Sequence, residues 1–221
     1  MNPLIEIYGG VHNDPGSRQR FLEELARQET APHFVAVEWE KTVFERFSAR
    51  RPWIEERIRS RQDFLTDDDC HELALAFAWE GDAYAERFPG IDLLWLESGF
   101  QEVYLQQQGS NADMSAQSLA ESFLYWLSNA YRHSPQPRSK QELIAHMTRE
   151  MWKMAACSST SDVDRDARWA NAICERALVL RDGWIAVVVG WQHADSQGDH
   201  QQLRGLLLSR GFGVNSVCLG P

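Results

Sequence analysis

The sequence predicts an α/β fold: a single domain over residues 1–221 with a central mixed, mostly parallel sheet flanked by helices and a helical insertion over roughly 100–160. Two observations carry this. Trp184 to Gly190 is an unbroken apolar run, rich in β-branched residues and closed by glycine, as in strands buried on both faces of a parallel sheet. Near the other end, strand-like Leu4 to Ile7, a helical segment and strand-like Phe34 to Val37 follow one another as a βαβ unit. Such a unit implies parallel strands joined by a right-handed crossover. Residues just past the carboxyl ends of parallel strands lie where open α/β sheets bind ligands.

After the first strand, His12 to Ser17 is turn chemistry, with Ser17 as the expected cap of a helix from Arg18 to about Gln28. Lys41 to Arg61 reads as helical with an interruption near Pro52. Asp67-Asp68-Asp69 opens a further helix, favoured by the positive end of its dipole, and the spacing of Leu73, Ala76, Phe77, Glu80 and Tyr84 continues it towards Pro89. Ile91 to Leu96 is a third expected strand. The run Gln106 to Ser118 is loop-like in composition and reads as a mobile insertion. Two amphipathic helices follow, one with Leu119, Phe123, Leu127 and Tyr131 on its apolar face, the other with Leu143, Ile144, Met147 and Met151, separated by a break at Ser134 to Pro137. Ser161 and Asp164 have capping-box spacing before a helix to about Leu180. Asp182-Gly183 then releases the chain into the Trp184 strand, and a last helix and strand end near Leu219.

Composition narrows the function classes. Hydrophobic residues make up 43% of the 221 and include nine Trp, enough for a packed core. A net charge of -10 disfavours nucleic acid and anionic membrane surfaces as partners. No apolar run approaches the ~20 residues of a membrane span. The first ten residues have no basic-then-apolar pattern, so no signal peptide and a cytoplasmic location are expected. Cys70, Cys157, Cys174 and Cys218 have no metal-knuckle spacing and read as reduced packing residues. The remaining histidines, His33, His71, His133, His146 and His200, read as structural or surface residues.

The strands place chemistry-bearing residues together. Gly9-Gly10-Val11-His12 follows the first strand, Glu38 the second, and Gly190-Trp191-Gln192-His193 the Trp184 strand, while Arg165 and Asp166 open a helix. Two His and one carboxylate on separate rigid elements can hold a transition metal with positions left for water and substrate. Without a metal, Glu38 or a His can act as general base and Arg165 can hold developing negative charge. These alternatives stay open on the residues alone.

The same motifs, in this order, resemble the TraB/TIKI superfamily, which includes the erythromycin esterase-like and ChaN-like proteins. The resemblance spans nearly the whole chain, with two departures: Leu96 is followed by Glu97-Ser98 where many TraB-type members carry Gly-Asp-Arg, and the membrane segments of many TraB proteins have no counterpart in this sequence. It implies an α/β fold with a site at the strand ends and a soluble hydrolase that cuts an ester or amide bond of a small molecule or peptide. His12, Glu38 and His193 are then the expected ligands of a divalent metal (Mn, Co or Zn). Glu38 and Arg165 are the expected catalytic groups, with Asp166 orienting Arg165. The alternative within the resemblance is a noncatalytic protein that binds haem or a small signalling molecule in the same pocket.

Overall fold

Five strands, β1 (Leu4–Gly10), β2 (Val35–Val37), β3 (Leu93–Trp95), β4 (Trp184–Gly190) and β5 (Gly213–Cys218), form one sheet in the order β3-β2-β4-β1-β5. This computed structural model describes residues 2–60, 64–130, 136–157, 163–194 and 202–221. The expectations for Tyr131, His133, Ser134, Pro135, Ser161, His200 and the Cys157 side chain fall outside the described residues. The class is α/β, as predicted. All strand pairings are parallel, which corrects the mixed sheet to a wholly parallel one among the described residues. A helix lies in every connection between successive strands, and that return path is what parallel pairing needs.

The helices are α1 (Pro15–Ala26), α2 (Lys41–Ser48), α3 (Arg51–Arg59), α4 (Asp67–Leu75), α5 (Gln101–Gln107), α6 (Ala112–Ala130), α7 (Lys140–Cys157), α8 (Val163–Ala177), α9 (Trp191–Ala194) and α10 (Leu203–Ser209). β4 slots between the two strands of the N-terminal βαβ unit, pairing with β1 from Leu4↔Trp184 to Gly10↔Gly190 and with β2 from Val35↔Ala186 to Val37↔Val188. Every residue of β4 is buried, so its continuous apolar run suits the centre of the sheet.

Period-two alternation sends neighbouring side chains to opposite faces. On one face Tyr8, Val37 and Val188 pack with Phe21 of α1 and Phe44 and Phe47 of α2. On the other, Ile7, Ala36 and Val187 pack with Trp169 and Ile173 of α8 and Leu207 of α10. The chain therefore leaves β1 and β2 towards the first face and leaves β4, between them, towards the second. Strand ends whose exits diverge in this way form a topological switch point, where a crevice opens.

Local chemistry moves several boundaries. Asp14, not Ser17, caps α1: its carboxylate accepts from the backbone N–H groups of Gly16 (3.2 Å) and Ser17 (2.9 Å), with Pro15 in the first turn. Pro52 likewise sits in the first turn of α3 rather than breaking a helix in the middle. The helix opened by the three aspartates is capped by Thr66 and stops at Leu75 instead of running on to Tyr84. Ala78 is left-handed (φ 55°); Asn13 Oδ1 accepts its N–H at 2.8 Å, and Arg51 donates to the carbonyls of Phe77 (2.8 Å) and Ala78 (3.1 Å). These bonds from distant segments replace the helical ladder and turn the chain at Glu80.

The expected loop over 106–118 is mostly helix. Only Gln108 to Asn111 is a turn, with Gly109 at φ 71° and Asn111 Oδ1 accepting from the Met114 N–H at 2.9 Å at the start of α6. Leu119, expected on the core face of α6, is 42% exposed, while Ala112, Ala116 and Ala120 take the buried face.

Asp14 is fully buried and also accepts from Ser17 Oγ (2.8 Å), Thr148 Oγ1 (2.7 Å) and Trp152 Nε1 (3.2 Å), which ties α1 to α7. Asp14→Ala removes a cap and strands several buried donors. Urea denaturation should register a loss of about 3 kcal/mol.

Candidate functional site

At the carboxyl edge of β1, β2 and β4 the structure brings together His12, Glu38, Arg165, Asp166 and His193, with Glu38 at the centre. Glu38 directly follows β2, and its own N–H continues the ladder to Val188 O at 3.1 Å. Its Oε2 accepts from the Gly190 N–H at 2.5 Å, and its Oε1 pairs with Arg165 Nη2 at 3.0 Å. The same Oε1 lies 3.7 Å from His12 Nε2 and 3.9 Å from His193 Nε2.

Each of these three side chains has a second carboxylate behind it. His12 Nδ1 meets Glu80 Oε1 at 2.7 Å, and His193 Nδ1 meets Asp166 Oδ1 at 2.6 Å. Arg165 Nε pairs with Glu97 Oε1, which also accepts from Trp169 Nε1 at 2.9 Å. The Trp169 ring packs under both neighbours, 4.6 Å from the Arg165 guanidinium and 4.7 Å from the His193 ring. Asp166 also accepts the Leu203 N–H at 3.2 Å. Asp166 thus orients His193, and Arg165 is oriented by Glu38 and Glu97, which corrects the expected Asp166–Arg165 partnership. Successive residues on a helix point about 100° apart, so the two serve different neighbours.

Glu80 and Glu97 belong to the same cluster, and the sequence does not single them out. Glu97 follows the third strand as Glu38 follows the second, so the strand-end rule reaches it. Glu80 has no such signal; its place depends on the left-handed turn at Ala78. Among the others, His33 bonds the Asp182 carbonyl at 2.7 Å at the amino ends of β2 and β4, and His71 of α4 pairs with Glu55, so neither lies at the carboxyl edge.

Burial sets the electrostatics. Glu38, Glu80, Glu97 and Asp166 are each at most 5% exposed. Burial raises the Glu38 carboxyl, but His12, Arg165 and His193 override it and hold the group well below the usual carboxylate range. Burial also opposes charge on His12, yet Glu80 and Glu38 on either side lift its imidazole well above the ordinary value. The outer edge of that ring opens to a cleft, leaving 45% of the side chain accessible, so water screens part of the pairing. His193 is sealed, with 6% of its side chain accessible.

The cleft above Glu38 has a volume of about 630 Å³, with His12, Glu38 and Arg165 at its floor and residues of α5 and α6 along one wall. The predicted metal donors fit a cation in orientation: both imidazoles have Nδ1 tied to a carboxylate and Nε2 turned to one oxygen, the outer-shell arrangement of metal-bound histidine. Their spacing is a few tenths of an ångström wider than the ~3.4 Å between ligands of a tetrahedral ion. Among the described residues no three His, Cys, Asp or Glu side chains are close enough together to hold a metal ion as they stand, so binding one would need His12, Glu38 and His193 to draw in. A cation there would displace Arg165 from Glu38 Oε1.

No family model, curated protein or solved structure matches this chain.

A Cβ on Gly190 would lie 3.3 Å from His12 Nε2, 3.4 Å from Glu38 Oε2 and 3.7 Å from His193 Cδ2. Gly190→Ala should therefore fold but push His12 away from Glu38, and NMR titration should find the His12 imidazole at a lower pKa than in the wild type. The pH dependence of stability follows from the same pairs. His12, with a raised folded pKa, contributes fully below its unfolded value of ~6.5 and loses that contribution as pH climbs through the folded value. Glu38, with a depressed folded pKa, contributes above the ordinary carboxylate value and loses its share as pH falls below it. Urea midpoints in the presence of a chelator should decline on both sides, and His12→Gln should flatten the alkaline decline.

Proposed function

We propose that this chain is a hydrolase that cuts an ester or amide bond of a small molecule or short peptide held in the cleft above Glu38. The observation that supports it most is the convergence of two carboxylate-backed histidines on one ionised carboxylate at the floor of an open cleft. The resemblance of the strand-end motifs to the TraB/TIKI superfamily favours the same chemistry, and membership there is part of this proposal.

His12 is the ring that opens to the cleft, so it is the group to exchange protons with a bound water. In its neutral form Nε2 takes a proton as the water oxygen bonds to the substrate carbonyl carbon, and Glu80 stabilises the imidazolium that results. Negative charge then develops on the carbonyl oxygen. Arg165, at the floor, supplies fixed positive charge for it. As the bond to the leaving group breaks, His12 returns its proton to the departing oxygen or nitrogen. His193, held by Asp166, fixes Glu38 from beneath.

His12, Glu38 and His193 are also the residues that would hold a divalent cation, which would bring the pKa of a bound water near neutrality. Four buried carboxylates against Arg165 leave a negative excess that a proton on His12 offsets in part, and a cation would take the place of that proton. Its affinity should then fall as pH falls.

The test is hydrolysis of p-nitrophenyl esters and short peptide amides by chelator-treated protein, alone and with Mn, Co or Zn, across pH. Turnover is expected to rise with pH as His12 loses its proton, and to drop at least ~100-fold in His12→Ala. No turnover under any of these conditions, or undiminished turnover in His12→Ala, overturns the reading.

A further inference from the structure

The bond-cutting groups occupy only the floor of the cleft, and the rest of its lining has a different character. Beyond His12, Glu38 and Arg165 no described residue lining it is charged. Trp39 and Phe47, from the end of β2 and from α2, and Leu105, Met114 and Leu119, from α5 and α6, supply an apolar surface. Several polar groups among them are engaged with the protein: Ser110 Oγ and Ser115 Oγ bond each other at 2.8 Å, Gln101 Oε1 accepts the Glu40 N–H at 2.8 Å, and Asn13 Oδ1 accepts the Ala78 N–H at 2.8 Å.

α6 gives this surface its clearest mark. Its alanines pack into the core, while Met114 and Leu119 stay 57% and 42% exposed in a concave wall. A protein gains nothing from leaving large apolar side chains in a wet concavity, and a ligand that covers them recovers the cost of hydrating them. The cleft volume of about 630 Å³ is that of a site for a small molecule and too small for a folded partner.

We infer that the substrate carries an uncharged, apolar acyl group that seats against Trp39, Phe47, Leu105, Met114 and Leu119, with only the bond to be cut reaching His12 and Arg165. Which bond is cut rests on the hydrolase reading, whereas the seating of the apolar group does not. The ionisable groups of the cleft, His12, Glu38 and Arg165, are confined to the floor, so a chain bearing its own charge would leave that charge unpaired along the wall.

The experiment measures binding of neutral N-methylalkanamides, from butanamide to decanamide, to the full chain by intrinsic Trp fluorescence. These probes copy an acyl group without a labile ester. Affinity should rise about threefold to fourfold for each of the first added methylenes and then level off as the wall is filled. Met114→Glu and Leu119→Glu, both at exposed positions and each with an unchanged circular dichroism spectrum, should weaken octanamide binding about tenfold and flatten the chain-length dependence. Affinity independent of chain length, or unaltered by both substitutions, overturns the inference. Chain-length-dependent binding without cleavage of the matching p-nitrophenyl esters counts against the hydrolase reading alone. Cleavage at the same efficiency for every acyl length counts against the apolar seat alone.

Discussion

An ionised carboxylate removed from water sets the terms for everything at the sheet edge. Glu38 is 5% exposed, and an uncompensated charge in that position would cost several kcal/mol. Its partners are a backbone N–H, Arg165 and the two histidines, and the partners create the same demand one step further out. Glu97 answers Arg165, Glu80 answers His12, and Asp166 answers His193. Carboxylates and nitrogen-bearing side chains therefore alternate outward from the end of β2, and Arg165, His12 and His193 are each held between two carboxylates. Removing one partner of a buried pair leaves the other uncompensated, which is why such a cluster holds its geometry without a ligand.

The two histidines share that arrangement and differ in access. His12 has an edge in the cleft, so it can exchange protons with solvent or with a bound water. His193 lies over Trp169 with Asp166 behind it and Leu203 donating to the same carboxylate. One ring is suited to move a proton, and the other to keep Glu38 in place.

Much of this arrangement is legible in the sequence because it follows from strand ends. The apolar run closing on Gly190 and the one closing on Gly9-Gly10 mark strands, and a parallel sheet delivers their last residues to one edge, so the strand pattern by itself groups His12, Glu38 and His193. Glu97 falls under the same rule. Glu80 is not legible: the apolar spacing around it reads as uninterrupted helix, and the turn that delivers it depends on hydrogen bonds from Asn13 and Arg51, remote in sequence. Polar composition misleads at 106–118, where Gln and Ser residues sit on two helices joined by a short turn. Leu119 is misplaced because hydrophobicity does not distinguish a core face from a wall of a cleft, and small alanines take the core face instead.

The strand order also has a kinetic consequence. β1 is made first, yet both of its hydrogen-bonded neighbours, β4 and β5, come from residues 184–218, and β2 likewise waits for β4 on one side. During synthesis β1 cannot pair with either of these neighbours until residues 184–190 have left the ribosome. Sheets closed by contacts so distant in sequence fold slowly, because the entropy of the intervening chain is lost before pairing repays it. The segment from α2 to α8 must gather while the nascent sheet is still open, and the edge that carries His12, Glu38 and His193, which spans β1, β2 and β4, can be completed only once β4 arrives.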